Sequence, residues 1–181
     1  MSKSLLALLP LLLLASCAAT DTDAVAASLA TEPDALTLAR FEKLKALEGS
    51  WYAVDEAGNR TDTLQSKYRV SAGGSAVVET VFPGAPMEMV TLYHLDGGEL
   101  VLTHYCALGN QPMMRAEHGG DADSVDFRCC GVSNVASHDD QHMHRAIFHF
   151  DAPNKLTADW TLFVDGAEGD TVPMEMVRAT D

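Results

Sequence analysis

The hydrophobic pattern of the chain changes period once. After Asp34, the residues Leu38, Phe41, Leu44 and Leu47 recur every third position, with Lys43, Lys45 and Glu48 off that stripe. This spacing predicts one amphipathic helix, with Asp34 as its N-cap and Gly49 at its end. From Ser50 the period falls to two. Short runs of β-branched and aromatic residues are separated by turn-forming breaks at 56–59, 71–74, 83–86, 96–98, 109–112, 119–123, 133–140, 153–154 and 166–170. These breaks predict about ten short strands, and such even spacing points to an antiparallel barrel or sandwich rather than βαβ units. Closure into a barrel would also remove the open sheet edges that invite aggregation. The expected fold is therefore all-β: an antiparallel barrel of about ten strands preceded by one short helix.

Alternation within the strands predicts which side chains face inward. Leu156, Ala158, Trp160, Leu162 and Val164 share one face, as do Val172, Met174 and Met176 on the next strand. His142, His144, Ala146, Phe148 and Phe150 share another, and Val125, Phe127 and Cys129 a fourth. A one-residue slip would invert each set, so each assignment stands or falls with its own strand. The Asp96-Gly97-Gly98 hairpin leaves two registers open. A two-residue loop puts Met89, Thr91 and Tyr93 on the face of Leu100, Leu102, His104 and Cys106, whereas a three-residue loop with a bulge puts Val90, Leu92 and His94 there.

The first residues follow neither pattern. Lys3 precedes an apolar run from Leu5 to Ala15 that is shorter than the roughly 20 residues of a membrane-spanning helix. A charged start, an apolar centre and small residues at its end read as a secretory signal over residues 1–16. Leu14-Ala15-Ser16-Cys17 resembles a lipobox, which implies that Cys17 takes the lipid after cleavage. Two or more acyl chains on that cysteine would anchor the protein stably in a membrane. Residues 17–33 are then a lipidated tether, poor in large apolar groups, and 34–181 the barrel domain. Ala18 is not the acidic residue that in enteric bacteria retains lipoproteins at the inner membrane, so the cell envelope, and within it the outer membrane facing the periplasm, is favoured.

Charge removes one class of function. The chain has 12 Lys and Arg against 26 Asp and Glu, a formal charge of −14. A nucleic-acid partner wants a basic stripe, and none is present.

The candidate chemistry lies in cysteine, histidine and one polar loop. With Cys17 used by the lipid, Cys106, Cys129 and Cys130 remain. Consecutive residues of a strand point to opposite faces, and in simple up-and-down order another strand separates Cys106 from Cys129, so free thiols are expected. His142 and His144 form a His-x-His pair, and His104 with Cys106 a second pair of the same spacing. If both look into the barrel at one level, they supply the nitrogen and sulfur donors of a zinc site. Asn110, Gln111 and Arg115, at or beside the loop after His104, are placed either to orient the polar end of a ligand or to cap that turn. Convincing paired carboxylates, a phosphate-cradling glycine loop and a serine nucleophile motif are all missing, so the reading leans against an enzyme without deciding the question.

Gly49-Ser50-Trp51, following the helix and opening the first strand, resembles the start of a lipocalin-like (calycin) barrel, in which the Trp commonly plugs one end. Thr103-His104-Tyr105-Cys106 with Gly109-Asn110-Gln111-Pro112, His142-Met143-His144 and Trp160 together resemble a family of uncharacterised bacterial proteins with such barrels, over residues 36–178. The resemblance implies the fold and no activity. Haem-binding barrels are a more distant likeness, without a motif here that identifies an axial histidine. Fatty-acid-binding barrels use a basic residue and a tyrosine near the last strand; Arg178 matches the first, and no tyrosine follows it.

The leading expectation is a membrane-anchored barrel that binds a small, largely apolar ligand, with His104, Cys106, Asn110, Gln111, Arg115 and Arg178 as candidate contacts. The alternative is a metal-binding protein or metal-dependent enzyme using His104, Cys106, His142 and His144. A third reading is an envelope protein whose barrel is filled solid by Trp51, Trp160 and methionines.

Overall fold

A computed structural model describes residues 31–179, so the signal, Cys17 and most of the tether lie outside the described residues. Helix α1 (Ala35–Ala46) begins where expected: Asp34 is its N-cap and accepts the Thr37 N–H at 2.7 Å. It ends earlier than its last apolar residue, with Leu47 as the C-cap, and Gly49 already belongs to the first strand. Phe41, Leu44 and Leu47 are buried as predicted, whereas Leu38 is largely exposed. In its place Arg40 is buried, and its guanidinium donates to the carbonyls of Glu117, Gly119 and Asp121. The helix is thereby fastened to the 117–123 loop.

Ten strands follow: β1 (Gly49–Val54), β2 (Arg60–Ser71), β3 (Ala76–Val81), β4 (Met89–Asp96), β5 (Glu99–Tyr105), β6 (Gln111–Ala116), β7 (Ser124–Ser133), β8 (His142–Ala152), β9 (Lys155–Val164) and β10 (Ala167–Arg178). Each pairs antiparallel with the next, and β1 pairs with β10 to close the barrel. The two-residue register of the 96–98 hairpin is the one adopted: Asp96 faces Glu99, and Gly97 and Gly98 both take positive φ, as the tight hairpin turn requires. Thr91 and Tyr93 therefore look inward beside Leu102 and His104.

Most of the alternation reading holds. Leu156, Ala158, Trp160, Met174, Met176, Val125, Phe127, Ala146 and Phe148 are buried. Val164, the last residue of β9, and Val172, midway along β10, are exposed. Trp51 is fully buried under α1, and its Nε1 donates to the Leu47 carbonyl at 2.7 Å. The interior is packed with Trp51, Tyr68, Tyr93, Phe127 and Phe148, several in edge-to-face contact.

Amid these rings sits Glu79, which is 1% exposed. Ser66 Oγ and Tyr68 Oη donate to its Oε1 at 2.8 and 2.7 Å, and Tyr93 Oη to its Oε2 at 2.5 Å. Burial pushes the Glu79 carboxyl above its ordinary range, and the three hydroxyl bonds pull in the other direction. Tyr68 and Tyr93 are raised in turn by burial and by the carboxylate beside them.

Candidate metal centre

The β7–β8 seam is broken. The pairing runs from Ser124–His149 to Arg128–Arg145 and stops there, although β7 continues to Ser133 and β8 begins at His142. Each strand carries an extra residue at the break. On β7, Met114 faces Cys129 and Met113 faces Gly131, which leaves Cys130 over; on β8, Met143 faces Leu162 and Arg145 faces Thr161, which leaves His144 over. Bulges of this kind bend a strand and sharpen its twist, which carries the two strands apart.

The extra residue at 144 changes the parity that the sequence predicted. Alternation placed His142 and His144 on the inward face of Ala146. Instead Met143 packs against the core, and His142 pairs across from Phe163. His142 is nonetheless buried, and both imidazoles lie over the Phe163 ring, with centroids at 5.0 and 4.6 Å.

Three donors converge in the gap. Cys129 Sγ and one ring nitrogen from each of His142 and His144 lie within 4.8 Å of one another. His142 Nδ1 is 2.7 Å from the Asp140 carbonyl oxygen, which can only accept, so Nδ1 carries the proton there. That leaves the lone pair of His142 Nε2 facing His144 Nδ1 at 3.0 Å. A carbonyl that fixes the tautomer of a ligating histidine is the usual supporting arrangement at metal sites. A tetrahedral zinc-like ion holds nitrogen at about 2.0–2.1 Å and thiolate sulfur at about 2.3 Å, so its ligand atoms sit roughly 3.3–3.6 Å apart. The two nitrogens already meet near that spacing. Burial holds His144 below the ordinary imidazole range, with His142 adding to the effect, and burial raises the Cys129 thiol. His144 and the Cys129 thiol are thus biased toward their neutral forms, and an ion bound by the thiolate would displace the thiol proton.

The remaining sequence candidates are dispersed. His104 is inside the barrel, 2% exposed and tilted against Trp160; its Nδ1 meets Thr91 Oγ1 at 2.9 Å. Its Nε2 has no partner among the described residues, and burial depresses its pKa to about 4. Cys106 does not continue the His104 strand: β5 ends at Tyr105, and Cys106 opens the turn, where its N–H donates to the Asn110 carbonyl. Burial raises its thiol as well. Neither residue belongs to the three-donor cluster, because the turn redirects Cys106 and His104 is committed to Thr91 and Trp160. Cys106, Cys129 and Cys130 are free thiols.

Arg115 pairs with Glu99 and Asp96 on the outer wall. Arg178 lies over Trp51 and donates to the Ala46 and Glu48 carbonyls, so it closes the end of α1. Asn110 and Gln111 brace the candidate site from behind. Asn110 Nδ2 donates to the Gln141 carbonyl at 2.8 Å, and Gln111 Oε1 accepts from Ser133 Oγ at 2.7 Å. The first bond ties the 106–110 turn to the residue before His142, and the second joins the start of β6 to the end of β7.

Cys129 is the donor that the sequence reading left out. Counting back equally from the middle of the 133–140 break sets Cys129 opposite His144, the same offset that the Arg128–Arg145 pair obeys. The hairpin count was available in the sequence; the bulges that open the gap were not.

No family model matches this chain, and no curated protein matches it.

Proposed function

We propose that this protein is a lipid-anchored envelope protein whose barrel is a rigid frame for a transition-metal site formed by Cys129, His142 and His144. One observation carries the reading: a thiol and two imidazoles converge at an interruption of the barrel wall, where main-chain pairing would otherwise fill the space. One sulfur and two nitrogens suit zinc or copper. The Asp140 carbonyl supports it further by leaving a lone pair of His142 directed at the cluster.

An apolar ligand inside the barrel has less support. Tyr68, Tyr93, Phe127, Phe148 and Trp160 fill the interior and line none of five clefts on the described surface. Anchoring rests on the lipobox-like sequence before Cys17. Among the described residues, no helix is long and apolar enough to cross a membrane.

Calorimetry of the full chain with zinc tests the site. Binding tighter than about 10 μM is expected, lost in Cys129→Ser and in the His142→Ala/His144→Ala pair, and kept in His118→Ala, a loop histidine. Binding weaker than that, or indifferent to these replacements, would overturn the reading. The anchor is tested separately by labelling with radioactive palmitate, which Cys17→Ser should abolish; an unlabelled wild type would remove the lipid from the proposal.

A further inference from the structure

We infer that the ion held by Cys129, His142 and His144 keeps one coordination position open to solvent and binds a small monoanionic ligand there. The inference rests on the metal reading and adds what the site does with its ion. Structural zinc sites are closed by four protein ligands, whereas sites that exchange or activate a ligand use three and leave the fourth position free. The cluster here holds three donors, and no fourth Cys, His, Asp or Glu of the described residues joins it.

The surroundings favour the same arrangement. The three donors form one wall of a cleft of about 300 Å³, which also opens against His138 and Asp139 of the 134–141 loop. One side is closed, because both imidazoles lie on Phe163. A fourth ligand must therefore enter from the cleft. The loop is pinned at several points: Asp140 accepts the N–H groups of Ala136 and Ser137 at 2.7 and 3.1 Å, and Asn134 donates to the Gly109 carbonyl. Asp139 leans toward the β9–β10 turn, where a Cβ on Gly166 would come within 3.4 Å of its carboxylate. Held in this way, the loop flanks the open position without filling it.

Charge selects the class of ligand. A divalent ion with one thiolate and two neutral imidazoles carries one net positive charge. A monoanion neutralises it: hydroxide at rest, exchangeable for a small thiolate or carboxylate.

Cobalt(II) in place of zinc separates this inference from the metal reading beneath it. The full chain loaded with cobalt should show a thiolate-to-metal charge-transfer band, absent in Cys129→Ser. Adding sodium azide, a small monoanion, should shift the visible d–d bands saturably while the charge-transfer band persists. His138→Ala and Asp139→Ala should respond as the wild type does. A charge-transfer band with d–d bands indifferent to azide would overturn the open position. So would an azide response that appears only in His138→Ala or Asp139→Ala, since that residue then closes the site. Absence of the charge-transfer band from the wild type would overturn the metal site itself. Circular dichroism of each variant identifies any loss that comes from misfolding.

Discussion

Glu79 and Cys129 both lie on strands of the barrel wall, and both have pKa values raised by burial, yet their surroundings differ in kind. Glu79 is sealed among rings, with all its nearest polar neighbours directed at it: three hydroxyls donate, and no cleft reaches the group. Cys129 is half-buried at a break in the wall, where two imidazoles are hydrogen-bonded to each other and the cleft opens beside them. A buried polar group whose hydrogen bonds are complete holds structure together and has little left with which to bind. The Cys129 cluster is hydrogen-bonded as well, His144 to His142 at 3.0 Å and the thiol to the Gly131 carbonyl at 3.5 Å, but these bonds join metal-binding atoms beside a cleft, and a cation can take the place of their protons. The comparison distinguishes satisfied polarity from poised polarity, which burial alone does not.

The largest effect expected from breaking this comparison is on the Glu79 side. Glu79→Ala leaves the hydroxyls of Ser66, Tyr68 and Tyr93 buried without their acceptor, at about 1–3 kcal/mol for each orphaned group, less the relief of removing a buried acid. A net loss of roughly 3 kcal/mol or more is expected in urea denaturation. Cys129→Ser without metal should cost about 1 kcal/mol in the same assay, because that thiol is only half-buried at the margin of the core. Equal losses would erase the distinction between the two regions.

His104 offers an intermediate test through pH. Its folded pKa of about 4 lies below the ordinary imidazole value of about 6.5, so on acidification the unfolded chain takes up a proton first. Stability should therefore fall as pH drops from about 6.5 toward 4, by roughly 3 kcal/mol at most, and hold above that window. Glu79 acts with the opposite sign: its folded pKa is raised, so its contribution is present at low pH and is lost as pH rises through the folded value. Denaturation across pH 4–8 should give a flatter acid limb in His104→Phe than in wild type. An unchanged acid limb would mean that His104 is not the group responsible.

The smallest expected effect sharpens the comparison from the metal side. Asn110 touches none of the three donors and holds the Gln141 carbonyl next to His142. Asn110→Ala should weaken zinc binding by up to about 10-fold, less than the loss expected for a group bonded directly to a ligating side chain. Calorimetry measures this, and an unchanged affinity would reduce the brace to ordinary loop packing.

The sequence by itself determined the architecture of the described domain. The change of period at Ser50, the turn residues between runs and the Asp34 cap predicted a short helix and ten antiparallel strands, because each is a local preference of backbone and side chain. It also marked His142 and His144 as chemically unusual, and it brought Asn110 and Gln111 into view, whose side chains bond the Gln141 carbonyl and the Ser133 hydroxyl. What only the tertiary structure decided is which marked residues meet. The pairing of His104 and Cys106 with the later histidines needed both pairs at one level of the barrel. The turn that begins at Cys106, and the contacts of His104 with Thr91 and Trp160, prevent that. The admission of Cys129 depended on extra residues at Cys130 and His144, and strict alternation has no place for them. Where a strand takes up an extra residue depends on how it pairs with both of its neighbours, and those neighbours are brought together only in the folded barrel.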